Sequence, residues 1–456
     1  MPGVLPVMNR RAYELALKAA LALNCEIARF TKWDRKNYYY PDLPKNYQIS
    51  QYDLPMSHDG WLEINAAPDP NKEFAAKRVR IIRAHLEEDA GKNLHDESGR
   101  GGISRIDLNR TGTPLLEIVS HPDISTPAEA VAYLQELRLL LRELGISDCE
   151  MQEGSLRCDA NVNVHILQPD GSYIATPIVE VKNLNSIRAV ERAMQYEAER
   201  QFRAFNDPND KDYFHKRIGD VPKATAGWDD TKGVTRIQRR KEEASDYRYF
   251  PEPDLVPVEV SDAWIAEVRS SMGELPGNQR QRLQSQFGLS LYDANVLAGQ
   301  GRELVAFYEK TVAAGADAKA TCNWITNEVL ATLKERNETI NRFALTPEQL
   351  AGLVVEVAKT GLKREKAREV YAHMIATGTN VADAMKAKGF VVVADESVLR
   401  DILRRAIAAN PKALADYKNG KAKAADAIKG FVMKETKGMA KAELVQQLLI
   451  EELAKS

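Results

Sequence analysis

The sequence is poor in the residues that most often declare a site. Its 456 residues hold four cysteines, Cys25, Cys149, Cys158 and Cys322, and no two of them form a CxxC pair. That spacing excludes a zinc ribbon and a thioredoxin-type redox pair, and no zinc site is visible in this chain. Scattered thiols in a long chain fit a reducing cytosol better than a disulfide scaffold, so a cytoplasmic location is expected. Neither GxxxxGK[ST] nor GxGxxG occurs, which removes the P-loop and the dinucleotide fingerprint. No apolar run approaches the roughly 20 residues of a membrane span. The opening MPGVLPVMNRR lacks the apolar core of a signal peptide, so no membrane partner is expected. An excess of one charge is missing too: 63 Lys and Arg face 65 Asp and Glu, for a net charge of −2. This excludes a chain that is basic throughout, but not a local basic surface, because phosphate contacts need only a few clustered cations.

What is present is enough apolar material, 44% of residues, to fill real cores, and a length that predicts roughly two to four domains. Residues 1–261 mix short strands, helices and loops. RRAYELALKAALALNCEIA (10–28) has helical apolar spacing, and an aromatic, proline-rich loop (36–55) follows it. WLEINA, RVRIIRAHLEE and ISRIDLNR alternate as strands do. TPAEAVAYLQELRLLLRELG (126–145) predicts a helix with Thr126 as N-cap, Pro127 at its first position and Gly145 closing it. A second long amphipathic helix is predicted over 186–205, capped by Ser186. From Asp262 the texture is almost wholly helical, with a break near GFVVVADES (389–397). The last stretch carries lysines at 412, 418, 421, 423, 429, 434, 437 and 441 against three acids.

Chemistry concentrates in four strand-like stretches. HLEEDAGK (85–92) sets Glu87, Glu88 and Asp89 in a row; on a strand Glu88 shares a face with Leu86, and Glu87 with His85. DLNRTGTPLLEIVS (107–120) places Glu117 among apolar residues, where a carboxylate must be paired, protonated or metal-bound. EGSLRCDANVNV (153–164) alternates Arg157, Asp159, Asn161 and Asn163, and EVKNLNS (180–186) adds Glu180 and Lys182. Taken alone, the acid run is a solvated strand end and His85 a packed core residue. Together these stretches make a sheet with a polar binding face. Acids at strand ends suit Mg²⁺, which takes oxygen ligands and keeps water or phosphate in its shell. Lys92, Arg110, Arg157 and Lys182 suit phosphate oxygens. Cations and acids without a covalent nucleophile point to ATP-dependent phosphoryl transfer on a sheet-based cradle.

The same residues carry a family resemblance. PGVLPVMNRRA, DRKNYYYPDLPKNYQISQYDLP, HLEEDAGK, DLNRTGTPLLEIVS, EGSLRCDANV, EVKNLNS and DYRYFPEPDL closely resemble, in order, the B subunits of the aspartyl/glutamyl-tRNA amidotransferases (the GatB family). The resemblance implies an α+β chain: a mixed or antiparallel sheet cradle with flanking helices over 1–261, an all-α helical domain over 262–390, and a small all-α, YqeY-like tail that binds tRNA over 391–456. It implies a ligase that uses ATP and Mg²⁺ to phosphorylate the side-chain carboxylate of Glu-tRNA(Gln) or Asp-tRNA(Asn). Ammonia that the A subunit releases from glutamine then displaces the phosphate, and with the C subunit the three chains form a heterotrimer. By the resemblance Glu88 and Glu117 are the catalytic metal ligands; Lys92, Arg110, Arg157, Asp159 and Lys182 are the residues expected, from their charge and spacing, to line the nucleotide site. Lys418, Lys421 and Lys423 are the expected tRNA contacts, and Lys36 is a candidate for the ammonia path.

The chain departs from the family pattern at its start. Family members open upstream of PGVLP with a strand of the type GLEVHxxL, whose Glu and His complete the metal site, and many carry a cysteine zinc set there. The sequence therefore predicts a cradle lacking two ligands and one central strand, and the alternative of a non-catalytic tRNA-binding or assembly subunit stands beside the enzyme reading.

Overall fold

A computed structural model of the chain describes residues 5–66, 75–94, 104–210, 217–240, 246–390, 396–418, 424–436 and 442–455. The chain divides into two compact units, Met1–Arg280 and Gln281–Ser456. The first is built on antiparallel and mixed sheets with flanking helices and the second is helical, as the composition along the chain predicts.

Two four-stranded sheets organise the first unit. One runs Glu26–Ile27, Ser57–Ala66, Ala75–Glu88, Pro114–Ser120 in spatial order, every neighbour antiparallel. The other runs Ala160–Val162, Val179–Lys182, Ala224–Asp229, Val234–Arg240, with its middle pair parallel. Alternation explains the first sheet: Leu62, Ile64, Val79 and Ile81 point into a core shared with helices Pro127–Glu143 and Ile187–Asn206. Both helices start as their caps dictate. Thr126 accepts from the Glu129 N–H and Ser186 from the Ala189 N–H. An irregularity between Ile81 and Arg83 inserts one residue and exchanges the parity of the long strand. Beyond it Ala84 and Leu86 are buried on the new inner side, Leu86 against Tyr13, Ala16, Trp33 and Met56.

The helix predicted over 10–28 is shorter, Arg10–Ala22. Asn24 takes a left-handed φ of 55°, which Asn tolerates better than most residues, and Glu26–Ile27 joins the first sheet as an edge strand. A three-stranded sheet of Phe250–Pro251, Asp34–Asn37 and Tyr47–Ser50 lies within the same unit. The unit also includes helix Asp262–Ser270, whose Trp264 stacks on Tyr13, so it extends past the boundary expected at 261. The second unit holds two separate apolar cores, one over Leu283–Phe390 and one over Leu399–Leu453. Among the described residues no helix is long and apolar enough to cross a membrane.

Candidate active site

The end of the long strand Ala75–Glu88 carries the site. Its antiparallel partner sets His85 opposite Glu117, Glu87 opposite Leu115 and Glu88 opposite Pro114. Directly opposed residues project to the same face, and successive residues alternate. His85, Glu87 and Glu117 therefore share one face and Glu88 points away from it. Their ligand-type atoms lie within 4.8 Å of one another. His85 Nε2 is 3.4 Å from Glu87 Oε1 and 3.7 Å from Glu117 Oε2.

The expectation that Glu88 joins Glu117 on one face is corrected by this register. Glu88 accepts the Ile49 N–H at 2.9 Å and pairs with Lys45, so its carboxylate ties the strand to the aromatic loop. Glu117 departs from expectation in another way. Its side chain is 46% exposed, so it faces an opening and is not a buried charge in need of compensation.

Glu87 is the buried carboxylate. It accepts from Ser50 Oγ at 2.6 Å and Gln48 Nε2 at 2.8 Å, and Lys36 Nζ lies 3.8 Å away. These partners come from two paired strands in which Lys36 stands opposite Gln48. Burial pushes the Glu87 pKa up, but the His85 contact, the Lys36 charge and the Ser50 hydroxyl outweigh it and hold the carboxyl at about 2. His85 is almost fully buried, and its Nδ1 has no hydrogen-bond partner among the described residues.

Tyrosines wall the same place. Tyr38 donates to Gln48 Oε1 at 3.0 Å, and Lys36 Nζ lies 5.2 Å from the centre of the Tyr247 ring. Tyr249 meets Tyr247 edge-on and stacks on Tyr52 at 4.1 Å. Burial, and next the Glu87 charge, push Tyr38 up to about 12. Tyr249 is raised by burial and then by Glu87, Tyr247 and Glu117 against Arg83, so its hydroxyl senses both carboxylates of the cluster.

The cations expected to hold phosphate fall into separate groups. Arg110 and Arg157 converge on Asp89: Arg157 grips it with both terminal nitrogens, and Arg110 Nε is 3.2 Å from Oδ2. Lys182 pairs with Asp159 at 2.6 Å and lies 3.5 Å from Glu180 on the second sheet. Burial lowers the Lys182 pKa, but those two carboxylates outweigh it and the net shift is upward. Lys92 opposite Asp107, in the hairpin Lys92–Leu94 and Arg105–Asp107, is exposed. Of the tail lysines, Lys418 ends helix Pro411–Lys418, while Lys421 and Lys423 lie outside the described residues.

Sequence reasoning set His85 near the metal acids as a packing residue, but it missed Glu87 as the carboxylate that joins Glu117, and it missed Gln48 and Ser50 altogether. A usable signal was present: parity along RVRIIRAHLEE already puts His85 and Glu87 on one face. The pairing of residue 85 with 117 is the missing fact, and only the assembled sheet supplies it.

Comparison with known proteins gives the site its context. A family model described as the GatB/GatE catalytic domain matches residues 1–266, and one described as the GatB domain matches 306–453. The chain is 48% identical over 455 residues to a protein of Rhodopirellula baltica, covering 100% of this chain and 89% of that protein. It is 48% identical over 454 residues to one of Moorella thermoacetica, covering 99% and 91%, and 45% identical over 454 residues to one of Geobacillus kaustophilus, covering 100% and 90%. Each of the three is named as the B subunit of an aspartyl/glutamyl-tRNA(Asn/Gln) amidotransferase. With matches of this extent around a sheet-borne cluster of His85, Glu87 and Glu117, the chain belongs to the GatB family of amidotransferase B subunits.

Proposed function

We propose that this chain is the B subunit of a tRNA-dependent amidotransferase and activates the side-chain carboxylate of Glu-tRNA(Gln) or Asp-tRNA(Asn) with ATP and Mg²⁺. The observation that carries the reading is the cluster of two carboxylates and an imidazole on one sheet face, with the Lys36 ammonium beside it. In the reaction a carboxylate oxygen of the misacylated residue attacks the γ-phosphorus. The bond from that phosphorus to the ADP oxygen breaks, and an acyl phosphate forms. Ammonia then attacks the acyl carbon, phosphate leaves, and loss of a proton gives Gln-tRNA(Gln) or Asn-tRNA(Asn). The partners are the A subunit, which releases the ammonia from glutamine, and the C subunit, third member of the heterotrimer.

The donor set fits a divalent cation: two carboxylates and an imidazole whose ligand-type atoms lie within 4.8 Å of one another, with His85 Nε2 turned toward both carboxylates. His85, Glu87 and Glu117 would hold it, and it would supply positive charge between two anions, the substrate carboxylate and the γ-phosphate. The protein's own groups do the remainder. Glu87 stays ionised at neutral pH because Ser50, Gln48, His85 and Lys36 surround it. Lys36 adds positive charge where the incoming carboxylate needs it. Arg110 and Arg157 turn partly exposed guanidinium groups outward for phosphate oxygens. Tyr38, Tyr247 and Tyr249 shield an acyl phosphate from hydrolysis by water.

The test is single-turnover transfer of labelled γ-phosphate in the heterotrimer with the A and C subunits. Glu87→Gln and Glu117→Gln each abolish phosphorylation while tRNA binding persists, and Glu88→Gln lowers it only modestly. Loss with Glu88→Gln and retention with Glu87→Gln reverses the ligand assignment. A parent complex that phosphorylates neither aminoacyl-tRNA defeats the reading itself.

A further inference from the structure

We infer that Asp89 is a positioning residue that locks Arg110 and Arg157 into one preformed phosphate-binding pair, an inference that rests on the proposed ATP-dependent step. Asp89 is 7% exposed and follows the long strand directly. Its backbone is fixed from both sides by the turn that carries Arg110: its N–H donates to the Thr113 carbonyl at 2.8 Å, and its carbonyl accepts the Gly112 N–H at 2.9 Å. Its side chain then reaches two arginines from different segments. Oδ1 accepts from Arg157 Nη1 at 3.0 Å, Oδ2 accepts from Arg157 Nη2, and Arg110 Nε stands 3.2 Å from Oδ2.

Each arginine is also tied to backbone. Arg110 donates to the Ala90 carbonyl at 3.0 Å and the Gly91 carbonyl at 2.5 Å, and Arg157 Nε donates to the Gly154 carbonyl at 3.2 Å. A guanidinium carries more N–H donors than these contacts use. The arginine side chains are 37% and 43% exposed above a carboxylate that is 9% exposed. The arrangement is therefore two part-exposed arginine side chains on one buried anion, with a net positive charge. Without the carboxylate the two heads repel and splay; with it their geometry is set before an anion arrives, so less freedom is lost on binding. A buried pair of this kind is weak evidence for stability and better suited to fixing geometry. Asp89 stands two positions after Glu87, roughly 7 Å along an extended chain. One strand end thus presents the carboxylate cluster and the arginine pair within the span of a polyphosphate. The planar fork of guanidinium matches phosphate oxygens and selects that ligand class.

The test uses the assembled amidotransferase complex and ATP. Asp89→Asn, which keeps size and one acceptor, raises KM for ATP by about tenfold or more, the scale of a hydrogen bond to a charged group, with a smaller change in kcat and unchanged tRNA affinity. Arg157→Gln does the same, and the double variant falls well short of the product of the two single penalties, because Asp89 acts in part through that arginine. Arg157→Lys keeps the charge but loses the fork, and it too raises KM. Calorimetric titration with ATP reads the same order of affinities without turnover. An unchanged KM in Asp89→Asn, penalties that multiply in the double variant, or normal ATP affinity in Arg157→Lys overturns the inference. If Asp89→Asn does not fold, Asp89→Glu, which keeps the charge but shifts the carboxylate, raises KM for ATP in its place, and an unchanged KM there overturns the inference. A parent complex that binds ATP but transfers no phosphate defeats the functional reading alone.

Discussion

Arg35 and Glu252 join strands far apart in sequence beside the carboxylate cluster. Arg35 Nε donates to Glu252 Oε2 at 2.7 Å and its Nη2 to Oε1 at 2.9 Å, while the Asp254 N–H donates to Oε1 at 2.9 Å. The guanidinium also lies 4.2 Å from the centre of the Tyr47 ring. The next residue is Lys36, which faces Glu87, so the clamp fixes the strand that delivers that charge. Burial raises the Glu252 pKa, but Arg35 and the Asp254 N–H outweigh it and hold it below the ordinary 4.5. A depressed carboxylate pKa contributes stability that is fully present above the unfolded value and is lost as pH falls through the folded one. Glu252→Gln is therefore expected to cost about 1–3 kcal/mol at neutral pH, and the penalty shrinks as pH falls below 4.5. Urea unfolding of parent and variant across that range checks it; a penalty independent of pH shows that the charge contributes nothing. At this scale residue types were legible and partners were not. Sequence singled out Glu117, Arg110 and Arg157 by chemistry, yet nothing local in HLEEDAGK says that Glu87 meets Ser50 and Gln48 while Glu88 meets Lys45 and the Ile49 N–H.

The element that concentrates function is the long strand with the turn that follows it. Its parity change between Ile81 and Arg83 and its register against Pro114–Ser120 decide which acids face which side. Both are properties of two strands together, which explains why caps such as Thr126 and Ser186, encoded within a few residues, were readable and the approach of Glu87 to Glu117 was not. The end of the first helix went unread for a related reason: apolar spacing continues past Ala22, and only pairing of Glu26–Ile27 with Ser57 and His58 makes those residues a strand. The turn Asp89–Lys92 has little room. A Cβ on Gly91 would lie 2.8 Å from the Asp107 carbonyl oxygen and 2.9 Å from that of Asp42, backbone on both sides. The Gly91 N–H donates to the Asp42 carbonyl at 2.8 Å, and its own carbonyl receives Arg110. Gly91→Ala therefore displaces backbone, costs about 1–3 kcal/mol, and moves Arg110. Thermal unfolding measures the first effect and KM for ATP the second. A variant with parent stability and parent KM shows that the turn gives way freely.

On the scale of the whole molecule, the tail core pairs its arginines internally and keeps its lysines for other work. The core over Leu399–Leu453 is closed by Leu399, Leu403, Ile428, Val432, Val445 and Leu449, an amphipathic pattern that the helical texture of the sequence foretold. Its arginines are spent within that core's own helices: Arg400 on Glu451 and Glu452, Arg404 on Glu452, and Arg405 on Glu435. The positive charge left for a polyanion is lysine, from Lys412 to Lys441. Tyr417 and Phe431 are the aromatics of the same stretch, and both are partly buried against the core, which leaves little stacking surface there for splayed bases. We therefore expect tRNA to be held through backbone phosphate. Affinity of the complex for tRNA should fall steeply with salt. Replacing Lys418, Lys421 and Lys423 by Ala should flatten the slope of log K against log salt by roughly 0.7–0.9 for each of them that meets a phosphate. ATP turnover on saturating aminoacyl-tRNA should stay at the parent level, since the carboxylate cluster lies in the first unit. Filter binding over a salt series gives the slope. A slope identical to the parent's makes these lysines mere solubilising charge and moves the tRNA contacts elsewhere on the chain.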